Sequence, residues 1–232
     1  MARVPFITFE GTEGCGKSTQ VQRLAARLKS SGISFILTRE PGGTPIGETI
    51  KELLQFAPHG AGMAAETELL LFEASRSQLV RETIKPALDA NICVISDRFF
   101  DSTTAYQGAA RKLDSAVVRQ LNEFAVGDCV PDVTIVLDLD EQTAQARLQK
   151  PRRPDRMEQE PPEFYEEVRR AYRELATREP KRIVLMDGSK RADEIEEEIW
   201  NLITSRFPQL FSETESGSHG TNPRSVSRNP QS

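Results

Sequence analysis

Apolar positions follow two patterns that take turns along the chain. Five short runs have strand length and are rich in β-branched or aromatic residues: Val4-Pro5-Phe6-Ile7-Thr8-Phe9, Ser34-Phe35-Ile36-Leu37, Ile92-Cys93-Val94-Ile95-Ser96, Val133-Thr134-Ile135-Val136-Leu137 and Arg182-Ile183-Val184-Leu185-Met186. Such runs predict strands buried on both faces, as in a parallel sheet. Between them, apolar residues recur at three- and four-residue steps, the period of a helix with one buried face. Val21, Leu24, Ala25 and Leu28 mark a helix after Ser18, and Leu69, Phe72, Arg76 and Leu79 mark one over 65–81. Over 114–126 the stripe Val117, Leu121, Phe124 and Ala125 reads as core. Ala144 and Leu148 belong to another helix, and helices over 162–178 and 191–206 follow, the last carrying Ile195, Ile199, Leu202 and Ile203. Alternating strands and helices predict the α/β class, with about five parallel strands covered on both faces in three layers.

Beyond Phe211 the chain turns Ser-, Asn-, Gly- and Pro-rich, with Val226 the one large aliphatic residue, so 212–232 reads as a disordered tail. The rest, 1–211, reads as one domain, because 232 residues with 38% hydrophobic content suit one core better than two. A net charge of −5 gives no general attraction to nucleic acid or anionic membrane. Phosphate binding therefore has to be local. No apolar run nears the roughly 20 residues of a membrane span, and no charged-then-apolar segment opens the sequence, so a cytoplasmic location is expected. Cys15, Cys93 and Cys129 lack paired spacing and the histidines are two, His59 and His219. That argues against a disulfide framework, a zinc site or histidine chemistry.

Candidate chemistry sits at the strand ends. Directly after the first run stands Gly11-Thr12-Glu13-Gly14-Cys15-Gly16-Lys17-Ser18, which fits G-x-x-x-x-G-K-[ST] and opens into the first helix. Glycines let backbone N–H groups curl round an anion, Lys17 reaches the outer phosphates, Ser18 offers a hydroxyl to Mg²⁺, and the helix N-terminus adds positive potential. The third run ends in Asp97-Arg98. An acid there is the expected second partner of Mg²⁺, an Asp–Arg ion pair being the plainer reading. The second run leads into the turn-rich Thr38-Arg39-Glu40-Pro41-Gly42-Gly43-Thr44-Pro45, at the edge where open α/β sheets bind ligands. Arg76 is out of place on an apolar stripe: either it snorkels past Phe72 to solvent or it contacts a ligand. Ser102 to Gly108 reads as a helix start that sets Thr103 and Gln107 four apart on one side. The Pro- and Arg-rich stretch 151–162 lacks an apolar period, which makes it either a mobile arginine-bearing lid, at about 149–162, or a solvated loop.

Four stretches taken together closely resemble the bacterial thymidylate kinases over about residues 3–206: Phe9 to Thr19, Thr38 to Thr44, Leu71-Phe72-Glu73-Ala74-Ser75-Arg76, and Asp97-Arg98-Phe99 through Ala105-Tyr106-Gln107-Gly108. The resemblance implies a P-loop NTPase-type fold and transfer of the γ-phosphoryl group of ATP to dTMP with Mg²⁺, giving ADP and dTDP for dTTP synthesis. The attacking phosphate oxygen is already ionised, so positioning and charge neutralisation would suffice without a side-chain base. By the same resemblance Gly11, Thr12, Glu13, Gly14, Cys15, Gly16, Lys17, Ser18 and Thr19 hold ATP, and Arg147 packs on adenine. Ser18 and Asp97 serve the metal. Lys17, Arg98, Arg152 and Arg153 are the catalytic set, with Arg156 beside them on the transferring group. Arg98 and Arg39 meet the acceptor phosphate, Phe72 stacks on thymine, Arg76 bonds a base carbonyl, Thr103 and Gln107 line the base edge, and Glu13 bonds the sugar 3′-hydroxyl. Gly14 in place of a basic loop residue, with arginines in the lid, is the bacterial arrangement. Phe99 departs from the commoner Asp-Arg-Tyr and carries no hydroxyl, and Cys15 stands where Ala is common. A homodimer through the helix near 65–81 and its neighbours is implied as well. Two other readings stay open: a kinase for dUMP or another monophosphate, and a nucleotide-binding regulator without turnover.

Overall fold

The five apolar runs become the strands of one parallel sheet in the computed structural model, which describes residues 4–56, 62–147 and 156–212. The strands β1 (Phe6–Glu10), β2 (Phe35–Arg39), β3 (Cys93–Asp97), β4 (Val133–Asp138) and β5 (Ile183–Asp187) stand in the order β2-β3-β1-β4-β5. The helices are α1 (Lys17–Ser30), α2 (Pro45–Phe56), α3 (Ala65–Leu79), α4 (Lys85–Asp89), α5 (Phe100–Thr103), α6 (Ser115–Val126), α7 (Glu141–Arg147), α8 (Pro162–Arg178), α9 (Ala192–Arg206) and α10 (Gln209–Ser212). β1 is central, with Phe9 level with Asp97 of β3 and with Ile135 of β4. Later strands lie on both sides of it, so its carboxyl end is the switch point at which open sheets bind ligands.

Successive residues of a strand face opposite layers. Ile7 and Phe9 pack with Leu24 and Leu28 of α1 and with Ile195, Ile199 and Ile203 of α9. Phe6 packs the other way, against Leu79, Val94, Phe99 and Val126, while Val136 meets Val168 and Tyr172 of α8. The second layer also holds a buried polar chain. Thr8 Oγ1 shares a hydrogen bond with Thr134 Oγ1 at 2.8 Å, Thr134 donates to Asp101 at 3.0 Å, and Arg182 donates to both Asp101 oxygens at 2.6 and 2.8 Å.

Several elements depart from the sequence reading. Pro45 ends a predicted turn but is the first residue of α2, where its missing N–H leaves no helical bond unmade. Thr44 Oγ1 accepts the Gly47 N–H at 3.0 Å and caps the start. The helix over 65–81 runs on through a π-helical turn, Val80–Ile84, into α4. In α6 the buried residues are Val118, Asn122, Ala125 and Val126; Ala125 keeps its predicted core place and Leu121 is half-buried, but Val117 and Phe124, 49% and 77% exposed, do not belong to the core stripe. Asn122 draws its face inward by accepting from Arg76 at 3.2 Å and donating to Thr104 at 3.1 Å. Leu148, the predicted lid as far as residue 155 with Arg152 and Arg153, and the tail from 213 onward lie outside the described residues; Ser212 ends α10. Among the described residues no helix is long and apolar enough to cross a membrane.

Arg182→Met leaves Asp101, 1% exposed, without its cation, and an uncompensated buried charge costs about 3–5 kcal/mol. The urea unfolding midpoint is expected to drop accordingly, and an unchanged midpoint would contradict the pairing.

Candidate functional site

β1 feeds the chain into a loop whose glycines take positive φ: 133° at Gly11, 75° at Gly14 and 101° at Gly16. At Gly11 a Cβ would lie 2.6 Å from the Leu137 carbonyl oxygen and 2.8 Å from Cys15 Sγ, so no side chain fits. α1 opens at Lys17 with no acidic residue in its first turn, which leaves its N-terminal N–H groups and their positive potential to an anion. Lys17 is folded back, Nζ donating to the Gly11 and Thr12 carbonyls at 3.1 and 2.8 Å. Burial and Arg98 work to lower its pKa, but Cys15 first, then Glu13 and Asp97, outweigh both and raise it. The ammonium is therefore held charged. Ser18 Oγ donates to Asp97 Oδ2 at 2.8 Å. Two hard oxygen groups side by side fit Mg²⁺, and since no cluster of three or more ligating side chains exists among the described residues, a cation there would draw its other ligands from phosphate and water.

Glu13 through Thr19 line a cleft of about 950 Å³, with Gly11 and Thr12 buried beneath. Among the described residues its walls carry seven cationic side chains against three carboxylates, a local excess in a chain of net charge −5. Arg39, half-exposed, faces the cleft while paired with Glu48, and Arg147 faces it while donating to the Gly188 carbonyl at 2.9 Å.

Arg98 joins this cleft to a second cavity. Its φ of +73° is a left-handed conformation rare outside glycine, and it is pinned by its N–H to the Phe9 carbonyl and by Ser96 Oγ to its own carbonyl. The guanidinium donates to the Gly11 carbonyl at 3.0 Å, Ser102 at 3.2 Å and Glu13 at 2.6 Å, and lies 5.2 Å from the Tyr106 ring centre. Arg98 and Glu13 border both spaces. The second cavity, about 60 Å³, brings Phe72, Thr103 and Gln107 together with Tyr106. Thr103 and Gln107 share it as their spacing predicts, although the chain there passes from α5 into a π-helical turn, Thr104–Ala110.

Two arginines sit elsewhere than the sequence placed them. Arg76 neither snorkels nor lines either cavity. It is 1% exposed, with Nε and Nη2 on Glu40 and Nη1 on Glu73, Thr103 and Asn122, so it meets the second cavity through Thr103. Arg156 does not line the cleft at the phosphate loop. It donates to the Leu54 carbonyl at 3.0 Å and pairs at 2.5 Å with Glu68, a buried carboxylate that needs a cation.

Three participants were missed. Glu10 ends a fully buried strand and accepts from the Phe99 N–H at 2.8 Å, Ser102 at 2.6 Å and Tyr172 at 2.7 Å, fixing the backbone after Arg98. Burial, with Asp101 adding to it, raises its pKa. A carboxylate closing an otherwise apolar strand was the available signal. Tyr106 lines the second cavity and Glu40 the first. Both lay inside the motif stretches, yet nothing in their spacing distinguished them.

A family model described as thymidylate kinase matches residues 9–199. A thymidylate kinase of Afipia carboxidovorans is 45% identical over 87% of this chain and 90% of its own, and one of Halothermothrix orenii is 47% identical over 85% and 95%. The crystal structure of thymidylate kinase from Ehrlichia chaffeensis superposes with a TM-score of 0.71 at 34% identity, over 88% of this chain and 99% of that one.

Burial pushes the Glu40 carboxyl from its usual 4.5 up to about 7, against the pull of Arg76, with Glu73 and Glu10 adding to the rise. A folded-state pKa above the unfolded one favours the protonated acid, so this contribution to stability is full below about pH 4.5 and is lost as pH rises toward 7. Stability of the native protein relative to Glu40→Gln, which cannot titrate, is expected to fall across that window in urea unfolding; a flat or rising difference would refute the assignment.

Proposed function

We propose, for a chain that belongs to the thymidylate kinase family, that it transfers the γ-phosphoryl group of ATP to dTMP, releasing ADP and dTDP. The observation that carries this reading is the junction of two cavities at Glu13 and Arg98, one a cation-rich cleft on a phosphate loop and the other a small pocket of Phe72, Thr103 and Gln107. The first suits a triphosphate and the second a planar base, with the acceptor phosphate between them at Arg98.

The acceptor oxygen arrives ionised, so the side chains have charge to neutralise and no proton to remove. Lys17 exchanges the Gly11 and Thr12 carbonyls for the β- and γ-phosphates, and the loop N–H groups hold the same oxygens. Ser18 and Asp97 would hold Mg²⁺, which when bound neutralises charge between the phosphates. Arg98, tethered at Gly11 and Glu13, aligns the acceptor phosphate, with Arg39 near it. Arg147 borders the adenine end, and Arg152 and Arg153, outside the described residues, complete the charge on the transferring group. Phe72 stacks on thymine and Thr103 and Gln107 meet its edge. Arg76, which lines neither cavity, steadies Thr103 from behind instead of meeting the base itself. Glu13 bonds the 3′-hydroxyl. A cytoplasmic setting belongs to the same proposal.

The partner is a second copy of the chain. Leu70 of α3 and Val117 and Phe124 of α6 are 55%, 49% and 77% exposed, three large apolar side chains on helices that pack together. Phe124→Asp is expected to shift sedimentation from dimer to monomer, whereas identical profiles would exclude that face.

ADP release with Mg-ATP and dTMP, dUMP, dCMP, dGMP, AMP or CMP tests the reaction. Preference for dTMP is expected; preference for another base would overturn the pocket assignment, and inertness toward all would favour a regulator. Lys17→Ala is expected to lower kcat by about 10²–10³-fold with unchanged circular dichroism, since one charged donor to the transition state is lost. Near-normal turnover would remove Lys17 from the mechanism.

A further inference from the structure

The reaction uses Gln107, and a second residue decides how Gln107 lies. Glu68, in the first turn of α3, is 1% exposed. Its Oε1 accepts from Gln107 Nε2 at 2.7 Å and Arg111 Nε at 3.2 Å, and its Oε2 accepts from Arg111 Nη2 at 3.1 Å and pairs with Arg156 Nη2 at 2.5 Å. Arg111 is held in turn by Glu160 at 2.5 Å. Burial alone would raise the Glu68 pKa, but hydrogen bonds from Arg111 and Gln107 outweigh it and hold the group below the usual carboxylate range. Glu68 is ionised and can only accept.

An acceptor of this kind settles the orientation of an amide. Gln107 has to turn its NH₂ toward Glu68, because its carbonyl there would set two acceptors face to face. Gln107 is itself 1% exposed, so no solvent is at hand to offset a flipped amide. It also lines the small cavity, which leaves Oε1 as the end offered to a ligand there.

We infer that Glu68 is a positioning residue for base specificity: by locking Gln107 with its carbonyl toward the cavity, it favours a pyrimidine whose ring edge donates an N–H and disfavours one whose edge accepts. A 4-oxopyrimidine such as thymine carries that hydrogen on N3, whereas the 4-amino ring of cytosine presents a lone pair there. Two acceptors then oppose each other, the kind of buried mismatch that gives strong discrimination. The inference rests on the reading of this cavity as the base pocket.

The test compares kcat and KM for dTMP and dCMP in the native enzyme and in Glu68→Gln, whose amide can bond Gln107 in either orientation. The expected result is a rise of about tenfold in KM for dTMP, a loss of about tenfold in dTMP-over-dCMP preference, and an unchanged KM for ATP. An equal fall for both nucleotides, or an unchanged preference, would overturn the positioning role. Because the variant removes the charge shared by two half-buried arginines, Arg111 and Arg156, and can fail to fold, the lock is also read in the unaltered protein. The Gln107 side-chain amide, observed by ¹⁵N NMR, is expected to exchange slowly and shift downfield. Exchange at the free-amide rate would overturn the inference. Inertness of the native enzyme toward dTMP would instead defeat the functional reading, and the amide signal distinguishes the two failures.

Discussion

Carboxylates buried behind the ligand-binding edge of the sheet, and the donors each of them must find, hold this site in shape. Glu10, Glu40, Glu68, Glu73 and Asp101 are all below 10% exposed. An unpaired charge at such depth costs several kcal/mol, so each acid constrains whatever segment supplies its partner. Glu10 takes the Phe99 N–H, Ser102 and Tyr172, and so sets the chain that follows Arg98. Glu40 and Glu73 grip Arg76 between them. Glu68 gathers Gln107, Arg111 and Arg156. Asp101 ties α5 to Arg182 beside β5. Loops and helix starts far apart in the chain thereby acquire one fixed geometry.

On that frame the phosphate loop is arranged to receive charge. The absence of an acid in the first turn of α1, the positive-φ glycines and the Lys17 ammonium parked on two carbonyls all leave a place that an anion completes. The same logic explains a cationic cleft in a chain of net charge −5, because the described walls that a polyphosphate would touch carry a local excess of cations. Arg98 links the two halves of the site mechanically. Its left-handed backbone persists because the bonds it donates to Phe9, Gly11 and Glu13, and the one it accepts from Ser96, over-determine it.

The polar side of the second cavity is held from behind. Thr103 is bonded by Arg76 and Gln107 by Glu68, and both supporting residues lie on α3. One helix thus carries the aromatic wall, Phe72, and the two charged groups that hold the polar wall. Selectivity of a pocket this small depends on polar groups that cannot rotate to suit the wrong ligand, and buried ion pairs are an effective way to stop them rotating.

Much of this was legible in the chain because the signals were local. Strand runs, helical stripes and the spacing from Gly11 to Ser18 depend on residues within a few positions of one another, and they determined the five strands, most helices and the phosphate loop. The shared cavity of Thr103 and Gln107 followed from a four-residue step in the same way. What lay outside reach depended on partners distant in sequence. Arg76 finds Glu40 thirty-six residues before it and Asn122 forty-six after it, and that pairing both buries a guanidinium and rotates α6 so that Phe124 faces out. Arg156 finds Glu68 across the fold, and Pro45 opens a helix where turn residues announced an end. Periodicity can mark a charged residue as misplaced on an apolar face, but only the assembled tertiary structure supplies the opposite charge that makes its burial affordable.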